Sequence, residues 1–269
     1  MTTPHPFDLA VRLAAAGEGV WAGRTHPAYG NMVGPFGGVI AATLLNAALS
    51  HPLRLGDPLA LTVNYAAPVA DGDFRITATP ARTNRSTQHW TLALTQGDEA
   101  MITATAVFAQ RRETWTATEA GFPQVPGWQT LARAAPVPAA AWTGRYSLRF
   151  AHGGLDLAPD AQGTDSTTLV WAQDDPPRPL DFLSLAAICD VFYPRIFIRR
   201  PVFVPAGTVS MTIYFHADAA RLAAQGEAPV LGAARASHFG KGYHDQMAEI
   251  WSRDGLLLAT SHQVVYFKE

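Results

Sequence analysis

Apolar residues recur along the chain with two periods, one helical and one alternating, and the two regimes succeed each other twice. Residues 7 to 16, Phe-Asp-Leu-Ala-Val-Arg-Leu-Ala-Ala-Ala, have helical spacing and end at Gly17, and a short strand is expected over Val20 to Arg24. The glycine-punctuated Gly34-Pro-Phe-Gly-Gly then opens a strongly apolar helix that runs to Leu49 and stops near His51-Pro52. Four alternating runs follow: Leu59 to Tyr65, Phe74 to Pro80, Thr87 to Thr95 and Ala100 to Phe108. The turn signals Asp71-Gly72 and Gly97-Asp98 separate them, so they read as strands of an antiparallel meander.

Between Gln110 and Ser147 the chain changes character. Pro123, Pro126, Pro136 and Pro138 and an alanine-rich run without sustained period predict a long connecting segment, anchored by Trp128 and Trp142. The second half repeats the order of the first, with strands near Leu148 to His152 and Thr168 to Gln173 and an apolar helix over 180–193. Further strands follow over 208–216, Val230 to Phe239, Tyr243 to Trp251 and Leu256 to Phe267. Trp90 to Phe108 resembles Gln246 to Val264 at an offset of about 156 residues, which indicates a duplicated domain. The division expected is therefore 1–110, a connecting segment over 111–146, and 147–269. The class is α+β, a helix followed by an antiparallel sheet, present twice; other strand orders would give the same string.

One charge is hard to place in this pattern. From Phe182 to Phe192 the only polar side chains are Ser184 and Asp190. An ionised carboxylate in an apolar helix costs several kcal/mol unless it is paired or hydrogen-bonded, so Asp190 needs partners or a raised pKa, as a catalytic acid-base group does. Thr208 to His216 alternates as a half-buried strand does, with parity placing Thr208 opposite Val209, Met211, Ile213 and Phe215 unless a bulge near Gly207 re-aims it. Gln263 shares the more apolar face of its strand with Leu257, Ala259, Val265 and Phe267, and is expected to point inward.

Composition narrows the partners. The 269 residues are 48% hydrophobic and 16% charged with a formal net charge of -2, which gives no electrostatic footprint for nucleic acid. The single cysteine, Cys189, excludes an intrachain disulfide framework and a cysteine-based metal site, and suits a reducing compartment. With no leader pattern at the N-terminus and no apolar run of about 18 residues, the expectation is a cytoplasmic protein that does not enter a membrane.

The motifs Phe36-Gly37-Gly38, Leu183 to Asp190, Thr208 to His216 and Asp254-Gly255 through Gln263 together resemble the bacterial acyl-CoA thioesterase II (TesB) type, from about residue 8 to the C-terminus. That resemblance implies a tandem (double) hotdog fold, each half a long central helix wrapped by an antiparallel sheet. It implies an acyl-CoA substrate, hydrolysis to free acid and coenzyme A without metal or organic cofactor, and assembly as a homo-oligomer. The family's aspartate, threonine and glutamine fall on Asp190, Thr208 and Gln263. By the same analogy, the amides of Gly37 and Gly38 are candidates for an oxyanion site, or simply allow close packing. Arg195, Arg199 and Arg200 are candidates for the phosphates of coenzyme A, or a solvated loop.

The chemistry of the three residues suits that activity. A carboxylate can orient water and take its proton, a glutamine amide can donate and accept, and a threonine hydroxyl can donate to either. Two other readings use the same fold: an acyl-ligand binding protein without turnover, and a hydratase or dehydratase pairing Asp190 with a histidine, for which His216 and His262 are candidates. The absence of Gly-x-Ser-x-Gly and His-Glu-x-x-His argues against an α/β-hydrolase and a zinc peptidase.

Overall fold

A computed structural model describes residues 4–156, 163, 165–200 and 202–269. The elements of the first half are α1 (Pro6–Ala10), β1 (Ala14–Gly17), β2 (Val20–Arg24), α2 (Gly37–Leu49), β3 (Asp57–Tyr65), β4 (Asp73–Thr83), β5 (Thr87–Gln96) and β6 (Glu99–Ala109). Those of the second are β7 (Tyr146–His152), β8 (Thr168–Asp174), α3 (Phe182–Ile188), α4 (Arg195–Arg199), β9 (Ala206–Phe215), α5 (Ala219–Gln225), β10 (Val230–Arg235), β11 (Phe239–Gly240), β12 (Tyr243–Trp251) and β13 (Leu257–Phe267).

Among the described residues, these strands form one sheet in the order β1-β2-β4-β5-β6-β3-β9-β13-β12-β10-β8-β7, with β11 beside β12. The order reads the same outward from its centre. There β3 and β9 pair antiparallel, with Thr62 opposite Thr212 and their hydroxyls 3.0 Å apart. Irregularities also recur at matching places: the register slips between Leu94 and Thr95 on β5 and between Ile250 and Trp251 on β12. It slips again between Pro58 and Ala60 on β3 and beside Thr208 on β9. The tight turns β5–β6 and β12–β13 each place a glycine, Gly97 and Gly255, at positive φ, where a β-carbon would be strained.

The strongly apolar α2, with ten of its thirteen residues buried, packs against α3 under the sheet, which accounts for its lack of a polar face. At their crossing a β-carbon on Gly38 would stand 2.5 Å from the Ala187 carbonyl oxygen. Gly38→Ala therefore requires the two helix backbones to separate. It is expected to destabilise the protein by about 1–3 kcal/mol, the range for an overpacked core, as read from denaturant titration.

Several sequence expectations change. The helix expected over 7–16 is only Pro6–Ala10, and Ala14–Gly17 becomes an edge strand, because edge pairing with β2 outweighs alanine's helical preference. The helix expected over 180–193 ends at Ile188, so the second helix is short. The strand expected over Val230 to Phe239 divides into β10 and β11. The helices α4 and α5 were not expected, although Asp218 caps α5 by accepting from the Arg221 amide and Gly226 follows its end. The N-terminal residues 1–3 and Pro201 lie outside the described residues.

The connecting segment is largely irregular, with short 3-10 turns at Trp128–Thr130 and Ala141–Arg145. Trp128 packs against Trp171 and Phe122 against Trp251, on the second half, while Trp142 stacks on Phe36 of the first. No helix of the described residues is long and apolar enough to cross a membrane.

Candidate functional site

After Ile188 the chain leaves the α-helix through two tighter turns, with the Asp190 amide donating to Ala187 O (3.1 Å) and the Val191 amide to Ile188 O (3.2 Å). These swing Asp190 off the apolar helix onto the start of α2. Its carboxylate accepts from Gln263 Nε2 at 2.9 Å and from the backbone amide of Gly38. Gln263, 3% exposed on β13, also places Nε2 3.3 Å from Met211 Sδ, and its Oε1 accepts from Thr208 Oγ1 at 3.2 Å. Thr208, Gln263 and Asp190 thus form one chain of hydrogen bonds drawn from β9, β13 and the turn after α3.

The reach of Thr208 depends on the slipped register: Val264 pairs with Ser210 and Val265 with Thr208, which leaves Val209 as an extra residue. Val209 turns outward, 37% exposed, and Thr208 turns to the face of Met211 and Gln263.

The residue Asp190 is only partly buried, but its carboxylate is desolvated, which pushes its pKa up to about 7. The hydrogen bonds from Gln263 and Gly38 favour the charged form and oppose that rise. The neighbouring Cys189 thiol is raised by burial and by the Asp190 charge, and stays protonated. A second buried carboxylate, Asp174, accepts from Ser184 Oγ of α3, and burial raises it to about 6. It makes no hydrogen bond to the set around Asp190.

Gly37 and Gly38 lie against the carboxylate. The Gly38 amide, one of two expected to face an oxyanion, is engaged by Asp190, the nearest anion to a helix start. A β-carbon on Gly37 would stand 2.7 Å from Asp190 Oδ2. Gly37→Ala is therefore expected to displace the carboxylate while the melting temperature changes little; for any reaction that the carboxylate serves, kcat/KM should fall by about tenfold or more, as it does when a reacting group is slightly misplaced. Steady-state kinetics beside calorimetry would separate the two effects. Tyr65 was not singled out from the sequence, where it is merely the last residue of a strand. Its hydroxyl donates to Gly37 O at 2.9 Å, bracing the glycine pair from β3.

The arginine cluster divides. Arg195 is fully buried, donating from Nε to Gln246 Oε1 (2.9 Å), from Nη1 to Thr168 Oγ1 (2.7 Å), and to the Tyr193 carbonyl. Burial lowers its pKa to about 9. A guanidinium used in this way ties α4 to β8 and β12 and presents nothing to a phosphate, which corrects the expectation for Arg195. Arg199 and Arg200 are exposed, Arg199 donating to Gly163 O (2.8 Å) and Arg200 to the Glu269 carboxylate.

No histidine is among the hydrogen-bond partners of Asp190. His216 meets Thr260 Oγ1 at 3.0 Å, and His262 lies on the opposite face of β13, 3.6 Å from Asp245. No group of three or more potential metal-ligating side chains occurs among the described residues. An open groove of about 590 Å³ beside β2 and β4, lined by Arg12, Arg24 and Arg75 among others, includes none of the residues above and has no buried titratable group.

Residues 118–267 match the model of the acyl-CoA thioesterase C-terminal domain, and residues 26–109 that of the N-terminal domain. Among solved structures, a hot dog fold protein of unknown function from Alicyclobacillus acidocaldarius is 50% identical, with 99% of each chain covered and a TM-score of 0.94. An acyl-CoA thioesterase II, TesB2, from Mycobacterium marinum is 15% identical over 97% of this chain and 98% of its own, with a TM-score of 0.78. A tesB protein from Mycobacterium avium subs paratuberculosis is 17% identical over 98% of each chain, with a TM-score of 0.76. No curated protein matches. The sheet and its helices are those of the hotdog fold.

Proposed function

Because the chain belongs to the acyl-CoA thioesterase family, we propose that it hydrolyses acyl-CoA to a free carboxylic acid and coenzyme A, with Asp190 activating the attacking water. The observation that carries this reading is a carboxylate with a pKa near 7, held by Gln263 and the Gly38 amide at the junction of two helices and two strands. A base poised near the working pH is ionised enough to accept a proton and basic enough to draw it.

In the reaction, Asp190 takes a proton from water as the water oxygen bonds to the thioester carbon. The carbonyl electrons move onto oxygen, and the amide of Gly37, at the start of α2, is the candidate donor to that oxyanion. Collapse expels the thiolate of coenzyme A, the carbon–sulfur bond breaks, and the proton on Asp190 returns to sulfur. Thr208 orients Gln263 by donating to its Oε1, so that Nε2 faces Asp190. Arg199 and Arg200, exposed beside the start of β9, are the candidates to meet the phosphates.

The same reading takes the chain as two hotdog units, 1–110 and 147–269, joined by 111–146, with the catalytic set in the second. The mirrored strand order and matching bulges support the duplication. The test is release of coenzyme A thiol from acetyl-, butyryl-, hexanoyl-, octanoyl-, palmitoyl- and phenylacetyl-CoA. Turnover of at least one ester supports the proposal; tight binding of the esters without turnover would replace it with a binding function.

A further inference from the structure

We propose that Trp142, carried by the connecting segment, closes the acyl end of the site and limits the enzyme to short acyl chains; this deepens, and rests on, the acyl-CoA hydrolase reading. A thioester carbon placed at Asp190 must send its two substituents in different directions, and the surroundings of the carboxylate differ in polarity. Thr208 and Gln263 connect the carboxylate to the start of β9, which the exposed cations Arg200 and Lys268 adjoin: Lys268 donates its amide to Pro205 O at 2.9 Å, and Arg200, next to Arg199, pairs with Glu269. The nucleotide half of coenzyme A, anionic and hydrated, fits that side.

The neighbours of Gly37 and Asp190 along the chain are aromatic. Phe36 immediately precedes Gly37, and its ring stands 2.6 Å from where a β-carbon on Gly38 would be. Trp142 stacks on Phe36, with ring centroids 4.3 Å apart and an interplanar angle of 10°. It also approaches Tyr193, three residues beyond Asp190, at 6.2 Å, and Tyr193 in turn stacks on Phe150 at 5.9 Å. Trp142 therefore joins the residues that precede Gly37 to those that follow Asp190.

Its position is fixed by its own hydrogen bonds. The backbone amide donates to Gly30 O (3.2 Å) and Nε1 to Asn31 Oδ1 (3.3 Å), while Thr143 Oγ1 closes the turn by accepting from the Val137 amide (2.8 Å). Phe36, Trp142 and Tyr193 are 2%, 5% and 8% exposed, so they fill their space with each other. An acyl chain gains by entering an apolar wall, but beyond a few carbons it would have to displace the indole.

The test uses the full chain with two readouts. Binding of S-ethyl, S-butyl, S-hexyl and S-octyl coenzyme A thioethers, which cannot be hydrolysed, is measured by calorimetry, and kcat/KM is measured on the corresponding thioesters. Wild type is expected to prefer the ethyl or butyl member. In Trp142→Ala the octyl-to-butyl ratio should rise by about tenfold or more in both readouts, since each accommodated methylene is worth about fourfold. Trp142→Leu, which retains more of the packing, should move the ratio the same way by less, and serves if the alanine variant does not fold. A wild type that prefers long chains, or a ratio unmoved in a folded variant, overturns the inference. Thiol release with an unmoved ratio defeats only the role of Trp142. A ratio that moves for thioethers while no thioester is cleaved keeps the acyl end and defeats the hydrolase reading, and neither binding nor turnover defeats both.

Discussion

Asp190→Asn is expected to lower kcat/KM for acyl-CoA hydrolysis by about a hundredfold or more, and to make the protein more stable at neutral pH. The loss follows from removing the group that takes the proton from water, a contribution of about 10²–10⁴ for a positioned base. Asparagine keeps the shape, and its single amide oxygen can take the place of Oδ1 as acceptor for Gln263 Nε2, so the turn after α3 should stay in place. The gain in stability follows from the same burial. A carboxylate raised from 3.8 to about 7 is a carboxylate the folded state would rather keep protonated, so its ionisation at neutral pH works against folding.

The folded state holds the Asp190 proton up to about pH 7 and the unfolded state releases it near 3.8, so between those values the folded state binds more protons and stability falls as pH rises. Below that window wild type and variant carry the same charge at this position and should differ little. Above it the variant should be the more stable by an amount on the order of 4 kcal/mol, several degrees or more in melting temperature for a chain of this size. Comparing the two proteins at each pH isolates Asp190 from Asp174, which is raised to about 6, and from His26, His216 and His244, which burial lowers. A variant that loses activity but melts lower than wild type at every pH would show that the carboxylate is a structural partner.

The second large effect is on rate against pH. If ionised Asp190 is the base, kcat/KM of wild type should rise tenfold per pH unit up to an inflection near 7 and then level off, leaving activity at pH 5 about a hundredfold below the plateau. Asp174→Asn should leave that inflection in place, because Asp174 bonds to Ser184 and not to the site set. A profile flat from pH 5 to 8, or one whose inflection moves with Asp174, would remove Asp190 from the role.

Much of this was legible in the residues because burial and polarity conflict at few places. A carboxylate at the end of an apolar run had to have partners, and Gln263 on an apolar strand face could be one. Strict parity put Thr208 on the wrong face, and the bulge considered near Gly207 is what re-aims it: one extra residue, Val209, reverses the faces. The length of α3 was overread because apolar residues continue past Ile188, and hydrophobicity does not distinguish a helix from the buried turn that follows it. Arg195 failed as a surface cation because two of its acceptors, Gln246 and Thr168, come from distant strands that fold over it, and the Tyr193 carbonyl two residues away takes a third donor. Tyr65 gave no signal of its own, and Trp142 was legible only as an anchor of the connecting segment, since what matters is that tertiary folding brings one to Gly37 O and the other to Phe36.

The most direct measurement is a single turnover with enzyme in excess over an acyl-CoA that wild type cleaves, carried out in heavy-oxygen water, with the acid product and the Asp190 peptide both analysed by mass. Water activated by Asp190 delivers its oxygen to the thioester carbon, so the acid from the first turnover should carry one heavy oxygen and the peptide none. Acid without the label and a labelled Asp190, or no thiol released at all, would contradict the central claim.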